Sequence, residues 1–250
     1  MKLALASVIG SVALLASVVP TASRAEFGQD RFEIQDISAW TLRAGELAFG
    51  PREVALGFLD VFSVGTTFGL NLFGALNADL KWLIHDSEPI GIGVKLGVLH
   101  FDPDLVGLDE TFSVTALPIS MLVSGRPNEN LRLHGAIEFL AARPDEHAPD
   151  SILRLQRHLG GVGKLAAKVA AEYRFGQHVA ALLQLETPLL AHRAAFRYAG
   201  EDDTAEFLRA TLSFHFVVDS FNLRVGGGYG PSWLGRAGFF PVAELSFRIY

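Results

Sequence analysis

Apolar and polar side chains take turns along most of this chain. In residues 76–85, Leu76, Ala78, Leu80, Trp82 and Ile84 are apolar, Asn77, Asp79, Lys81 and His85 are polar, and only Leu83 breaks the order. At 100° per residue the charges would smear around a helix, whereas at 180° they share one face of a strand. The same period recurs downstream. Ile90, Ile92, Val94, Leu96 and Val98 oppose Gly91, Gly93, Lys95 and Gly97. Leu131, Leu133, Ile137 and Phe139 oppose Arg132, His134 and Glu138. Leu165, Ala167, Val169, Ala171, Tyr173 and Phe175 oppose Lys164, Lys168, Glu172 and Arg174. Leu208, Ala210, Leu212, Phe214 and Phe216 oppose Arg209, Thr211, Ser213 and His215. Phe221, Leu223, Val225 and Tyr229 oppose Asn222, Arg224, Gly226 and Gly228, and Ala243, Leu245, Phe247 and Ile249 oppose Glu244, Ser246 and Arg248. Residues 178–190 alternate in part, with Gln184 and Glu186 on one face. Residues 111–124 alternate and then slip by one near Pro118, where a bulge is predicted because proline cannot donate to a ladder.

Template matching gives about twelve strands, within a range of roughly ten to fourteen. The connectors alternate in length: residues 59–60, 86–88, 125–129, 176–177 and 219–220 are short, and 102–110, 142–161, 191–205 and 231–241 are longer. Tight turns on one rim and loops on the other are the signature of an antiparallel up-and-down sheet. The fold class is therefore all-β, a single closed barrel over residues 42–250.

Alternation alone does not say which face is inside. An apolar face turned inward makes a soluble ligand-binding barrel, and one turned outward makes a membrane barrel. Several strands reach ten residues, enough to cross a bilayer when tilted. A lumen walled by about twelve strands is too wide for apolar side chains to fill. Both points favour lipid outside. Trp82, Phe101, Tyr173, Phe175, Phe214, Phe216, Tyr229 and Trp233 lie near strand ends, where interfacial girdles form, although aromatics there are also ordinary core.

The N-terminus changes the compartment. Lys2 precedes a charge-free run over residues 3–19, Pro20 breaks it, and Ser23 and Ala25 supply small residues before Glu26. This predicts a secretory signal peptide over residues 1–25, the alternative being an uncleaved anchor of marginal length. Residues 26–41 then form a periplasmic lead or an N-terminal plug. No later stretch reaches 18 uncharged apolar residues, which excludes a helical membrane protein. Of the 250 residues, half are hydrophobic and 19% charged, so disorder is excluded. There is no Cys, which removes disulfides and thiol chemistry, and a net charge of −6 gives no global signal for nucleic acid.

With its signal peptide, two-residue period, alternating connectors and aromatic end Ser246-Phe247-Arg248-Ile249-Tyr250, the chain resembles Gram-negative outer-membrane β-barrel proteins over residues 26–250. The resemblance implies a bacterial outer-membrane home, surrounding lipid and lipopolysaccharide, and recognition of the last strand by the barrel assembly machinery. The chain departs from the family in one respect. Alternate positions counted back from Tyr250 hold Arg248, Ser246 and Glu244, so the apolar set is one residue out of phase.

Candidate chemistry sits on the polar face. Asp79, Lys81, Lys95, Arg132, Glu138, Lys164, Lys168, Glu172, Arg174, Glu186, Arg209, Arg224, Glu244 and Arg248 are predicted to line the lumen, nine basic and five acidic. The basic surplus would bias a pore toward anions; the alternative is a mutually paired interior that plugs the barrel. His85, His134, His178 and His215 turn inward on different strands without tight ligand spacing, so no metal site or cofactor is assigned. Ser213 and His215, with Glu206 or Glu244 nearby, come nearest to a hydrolase pattern. Residues i and i+2 on a strand are about 7 Å apart, too far for a direct bond, and no catalytic residue is assigned. The run Gly226-Gly227-Gly228 precedes no helix and does not read as a phosphate loop. Residues 142–161 would hold one short helix, inside the lumen or outside it. The function expected is a narrow pore or transporter for small solutes. The alternatives are a closed structural or surface-presenting barrel and an outer-leaflet lipid hydrolase.

Overall fold

The two-residue period becomes a wall. The computed structural model describes residues 37–50, 53–67, 71, 75–87, 89–102, 113–144, 163–191, 208–218, 220–231 and 237–249. Twelve strands run in chain order: β1 (Leu47–Phe49), β2 (Val54–Leu59), β3 (Phe62–Thr66), β4 (Ala75–Ser87), β5 (Ile90–Phe101), β6 (Val114–Gly125), β7 (Leu131–Pro144), β8 (Gly163–Arg174), β9 (Val179–Ala191), β10 (Arg209–Val218), β11 (Phe221–Pro231) and β12 (Ala237–Ile249). Every strand pairs antiparallel with its chain neighbours, and β12 returns to β1 through Leu47–Ile249 and Phe49–Phe247, closing the barrel. Closure leaves no unpaired edge to recruit another chain. The turns after β2, β4, β6, β8 and β10 share the rim where the chain enters β1 and leaves β12, and the longer connectors share the other.

Burial settles which face is outside. Met121, Ile137, Val169, Leu183 and Leu212 are exposed although they sit mid-strand, with Val169 at 52% and Leu212 at 54%. Their neighbours Arg132, Glu172, Ser120, Ser213 and Arg224 are buried. The barrel is thus apolar outside and polar inside, the inverse of a soluble core. Strands β4 to β12 are 10–14 residues long, the length a tilted strand needs to cross a hydrocarbon layer.

Aromatic pairs collect on the outer surface near the rims. Phe62 stacks between Phe58 and Trp82 at 5.5 and 5.7 Å. Tyr173 meets Phe175, and Phe221 meets Phe247, near the short-turn rim. Tyr229 meets Phe239 near the opposite rim. Phe214 and Phe216 also face outward from β10. Phe101 does not join this set. It pairs with Ala75, which is buried, and so shares the inward phase of Leu99 and Gly97.

Pro118 makes no bulge. The β5–β6 and β6–β7 registers run through it without a shift. Gly97 lies opposite, and an added Cβ there would meet the Pro118 ring at 2.7 Å. The glycine gives the ring room, so the ladder loses a donor without gaining a residue. The apparent slip arises because the inward residue Ala116 is itself apolar. Bulges fall instead between Gly57 and Leu59, between Leu83 and His85, and near Gly163–Ala166. The second bulge turns His85 to the exposed surface, where its Nε2 lies 2.7 Å from Ser87 Oγ, and not into the lumen. Residues 1–25, predicted as a signal peptide, residues 26–36, Trp233 and most of loop 142–161 lie outside the described residues, as does the Lys164 side chain.

Candidate functional site

The lumen is built in two levels. Near the short-turn rim, residues 37–42 cross the interior from the β2–β3 wall to the β6–β9 wall. Ile37, Ser38, Ala39, Trp40 and Leu42 are all buried. Ile37 and Ala39 pack with Leu122, Ala136, Ala170 and Leu182, inward residues of four successive strands. Trp40 packs on Leu83 and Val61, and its ring stands edge-on to His134 at 5.9 Å. Leu42 packs with Ala48 and Ala55 at the start of the wall.

Polar contacts fix this crossing segment. The Ala39 N–H donates to Ser124 Oγ at 2.8 Å, and Ser124 Oγ lies 2.9 Å from His134 Nδ1. Lys81 Nζ donates to the Trp40 carbonyl at 3.2 Å. The Thr41 hydroxyl donates to the Asp60 carbonyl at 2.7 Å, and the Ala44 N–H to the Asp60 carboxylate at 3.1 Å. The chain then reverses through residues 43–46, where the Glu46 N–H returns to the Arg43 carbonyl at 3.0 Å. Gly45 has φ +82, the conformation the third position of a type II turn requires. Two inward glycines make the approach possible: a Cβ on Gly91 would lie 2.8 Å from Trp40 Nε1, and one on Gly93 would lie 2.9 Å from the Ala39 carbonyl.

Beside the crossing segment, toward the same rim, lies a buried ion cluster. Arg132 Nη1 and Arg174 Nε both reach Glu172 Oε1, at 3.2 and 3.3 Å. The Arg132 and Glu172 side chains are each 1% exposed. Arg132 stands directly opposite Glu172 across β7 and β8, so the pairing follows from register. At this depth a charge is tolerated only because its partner is present.

Farther toward the long-loop rim the lumen charges are paired but more accessible. Lys168 binds Glu138 at 3.1 Å and lies 4.0 Å from Glu186. Lys95 binds Asp79 at 3.4 Å. Arg224 donates to Ser213 Oγ at 2.8 Å and approaches Gln184 and Glu244 at 3.4 and 3.6 Å. At the short-turn rim, by contrast, Arg248 pairs with the buried Glu46 at 3.7 Å. The side chains of the Lys95–Asp79 and Lys168–Glu138 pairs are 18–22% exposed. Arg209 covers the Phe240 ring at 4.7 Å. Phe240 itself fills the space left by Gly228 across the β11–β12 ladder. Gly226 and Gly228 thus serve close packing, whereas a Cβ on Gly227 would meet nothing nearer than 3.7 Å.

Three acidic residues joined the lumen that alternation had not placed there. Glu46 faces Arg248. Glu53 lies near Asp79 beside Gly65. Asp86 interacts with Trp40. Among the described residues they offset the basic surplus and bring the lumen close to charge balance. Ser213 is fully buried with its Oγ bound to Arg224. His178 Nδ1 lies 2.9 Å from the Val217 carbonyl in the turn region. Among the described residues no group of His, Asp and Glu is placed to hold a metal.

The crossing segment is what alternation missed, and one signal for it was present. Leu83, the single break in the β4 pattern, is the residue that receives Trp40. Leu122, Ala136, Ala170 and Leu182 likewise put apolar side chains on an otherwise polar face.

No family model matches the chain, and no curated protein does. Among solved structures it is similar to the NanC porin in a rhombohedral crystal form. The identity is 10%, the TM-score is 0.45, and the match covers 82% of this chain and 94% of that one. It is also similar to CdiB from Acinetobacter baumannii, at 9% identity and a TM-score of 0.32, over 79% of this chain and 46% of that one. The chain is a closed twelve-stranded antiparallel barrel. Its own register, burial and pairing carry the reading that follows.

Proposed function

We propose that this is a bacterial outer-membrane barrel that passes small solutes through a narrow, charge-lined lumen. The observation that carries the reading is the inversion of burial. Large apolar residues are exposed around the wall while lysine, arginine, glutamate and aspartate point inward as pairs. Water does not tolerate such an apolar belt on a monomer, and lipid does. Paired charges that keep partial exposure line a hydrated passage, in which near balance of sign favours small solutes of either charge over strong anion selection. In this reading residues 37–42 form the narrowest point, and the short-turn rim faces the periplasm. Surrounding lipid and lipopolysaccharide and the assembly machinery acting on β12 belong to the same proposal.

The purified barrel, reconstituted in a planar bilayer, is expected to give discrete current steps. Complete silence from a correctly folded barrel, whatever is done to residues 37–42, would refute a conducting function. One specific observation favours the second reading, a closed structural or surface-presenting barrel: residues 37–42 fill the interior near one rim with apolar contacts. Lipid hydrolysis is the weaker alternative, since Ser213 is committed to Arg224. Ser213→Ala is expected to leave outer-leaflet lipid composition unchanged.

A further inference from the structure

The crossing segment is held unlike any part of the wall. Each wall strand is laddered to a neighbour on both sides. Among the described residues, no backbone-to-backbone hydrogen bond involves residues 37–42. Their described polar ties to the wall run through side chains: Ser124 to the Ala39 N–H, Lys81 to the Trp40 carbonyl, Asp86 to the Trp40 side chain, and Thr41 to the Asp60 carbonyl. Each wall group in these ties can be hydrated in a water-filled lumen, so parting them exchanges protein hydrogen bonds for water at small net cost. The apolar contacts bury Ile37, Trp40 and Leu42 against Leu83, Leu122, Leu182 and several alanines, so they hold the docked placement and set the cost of leaving it.

One end of the segment is pinned. The Gly45 N–H donates to the Gly57 carbonyl at 2.6 Å, and the Gly57 N–H to the Glu46 carbonyl at 2.8 Å. The turn at residues 43–46, with Gly45 at φ +82, therefore separates the laddered wall from a strap that is not laddered to it. A strap held by side-chain contacts alone and joined to the wall at a glycine turn has the build of an element that can move as a unit.

We propose that residues 37–42 are a displaceable gate, docked on Leu83, Ser124 and His134, and that conduction requires their withdrawal from the lumen. This inference rests on the conducting reading above and adds how that pathway is regulated. The socket belongs to the chain itself: Gly91 and Gly93 leave the space that Trp40 and Ala39 occupy when docked.

The chain has no Cys, so an Ala39→Cys/Ser124→Cys pair can be introduced without background thiols. The Ala39 nitrogen and Ser124 Oγ are 2.8 Å apart, which makes the two positions neighbours, and loss of free thiol on oxidation confirms that the introduced pair has closed. The full-length double variant is reconstituted in a planar bilayer, and current is recorded oxidised and then after reduction on the same membrane. An Ile37→Ser/Trp40→Ser variant, which keeps the chain length, is recorded beside it. Heat-modifiable migration confirms folding of each. The expected result is silence when oxidised, gating steps after reduction, and a several-fold higher open probability in the serine variant. Equal current in the oxidised and reduced states would overturn the gate. A reduced barrel that stays silent while the serine variant conducts would also overturn it, making residues 37–42 a fixed stopper in a true pore. Silence in all three would refute the conducting function itself.

Discussion

A single methyl group tests the docked placement without touching the strap. Gly91 sits on β5 with its backbone laddered to β4 and β6, so it cannot retreat. A Cβ there would stand 2.8 Å from Trp40 Nε1 and 3.3 Å from two further ring atoms. The indole is hemmed by Leu83 and His134, so the ring moves only if the strap moves. Overpacking of this kind costs about 1–3 kcal/mol. That corresponds to a shift of about 5- to 150-fold in the docked-to-withdrawn ratio. Gly135→Ala is the control, since a Cβ there meets nothing within 4 Å. With Trp82 and Trp233 replaced by Phe, Trp40 becomes the sole indole. It is 4% exposed when docked, so acrylamide quenching reports its release. Urea is raised through the range below global unfolding. Gly91→Ala is expected to expose Trp40 at lower urea than the parent, with the barrel's own unfolding midpoint little changed. Identical release curves for Gly91→Ala, Gly135→Ala and the parent would refute the placement of Trp40 against β5.

Other consequences follow from the same geometry. Glu172→Gln removes the carboxylate that holds Arg132 and Arg174; it is expected to lower barrel stability by about 3–5 kcal/mol in urea unfolding. Arg132→Glu is expected to block folding, and recovery of a folded variant with altered ion selectivity would place Arg132 in an open path instead. Lys95→Glu sets a new carboxylate near Asp79 in the accessible part of the lumen and should shift reversal potentials toward cations. An unchanged permeability ratio would remove Lys95 from the conducting route. Val169→Arg, on the outer face of β8, should destabilise the lipid-embedded barrel by about 2–4 kcal/mol if the residue lies near the midplane. Stability unaffected by that charge would argue against lipid contact.

The wall can be read from the residue order alone. Period-two alternation needs only nearest neighbours along the strand, so the strands, their apolar faces and the short-and-long connector rhythm are legible one residue after another. Register then decided what alternation leaves open. It opposed Arg132 to Glu172, showed that Gly97 accommodates Pro118 without a bulge, and turned Phe101 inward. The lumen's charge balance also needed three dimensions. Glu46 and Glu53 lie in or beside short, weakly patterned elements, and their places inside appear only when β12 closes on β1 and β3 pairs with β4. What fills the short-turn end depended above all on long-range packing. Residues 37–42 have no period to read, because an irregular strap packs each side chain against a different strand. Ala39 meets Ser124 across 85 positions of sequence, and Trp40 receives Lys81 across 41. Leu83 carried the trace of that contact as a break in an otherwise regular strand. A broken pattern marks a burial partner without naming it, and closure of the barrel supplied the partner.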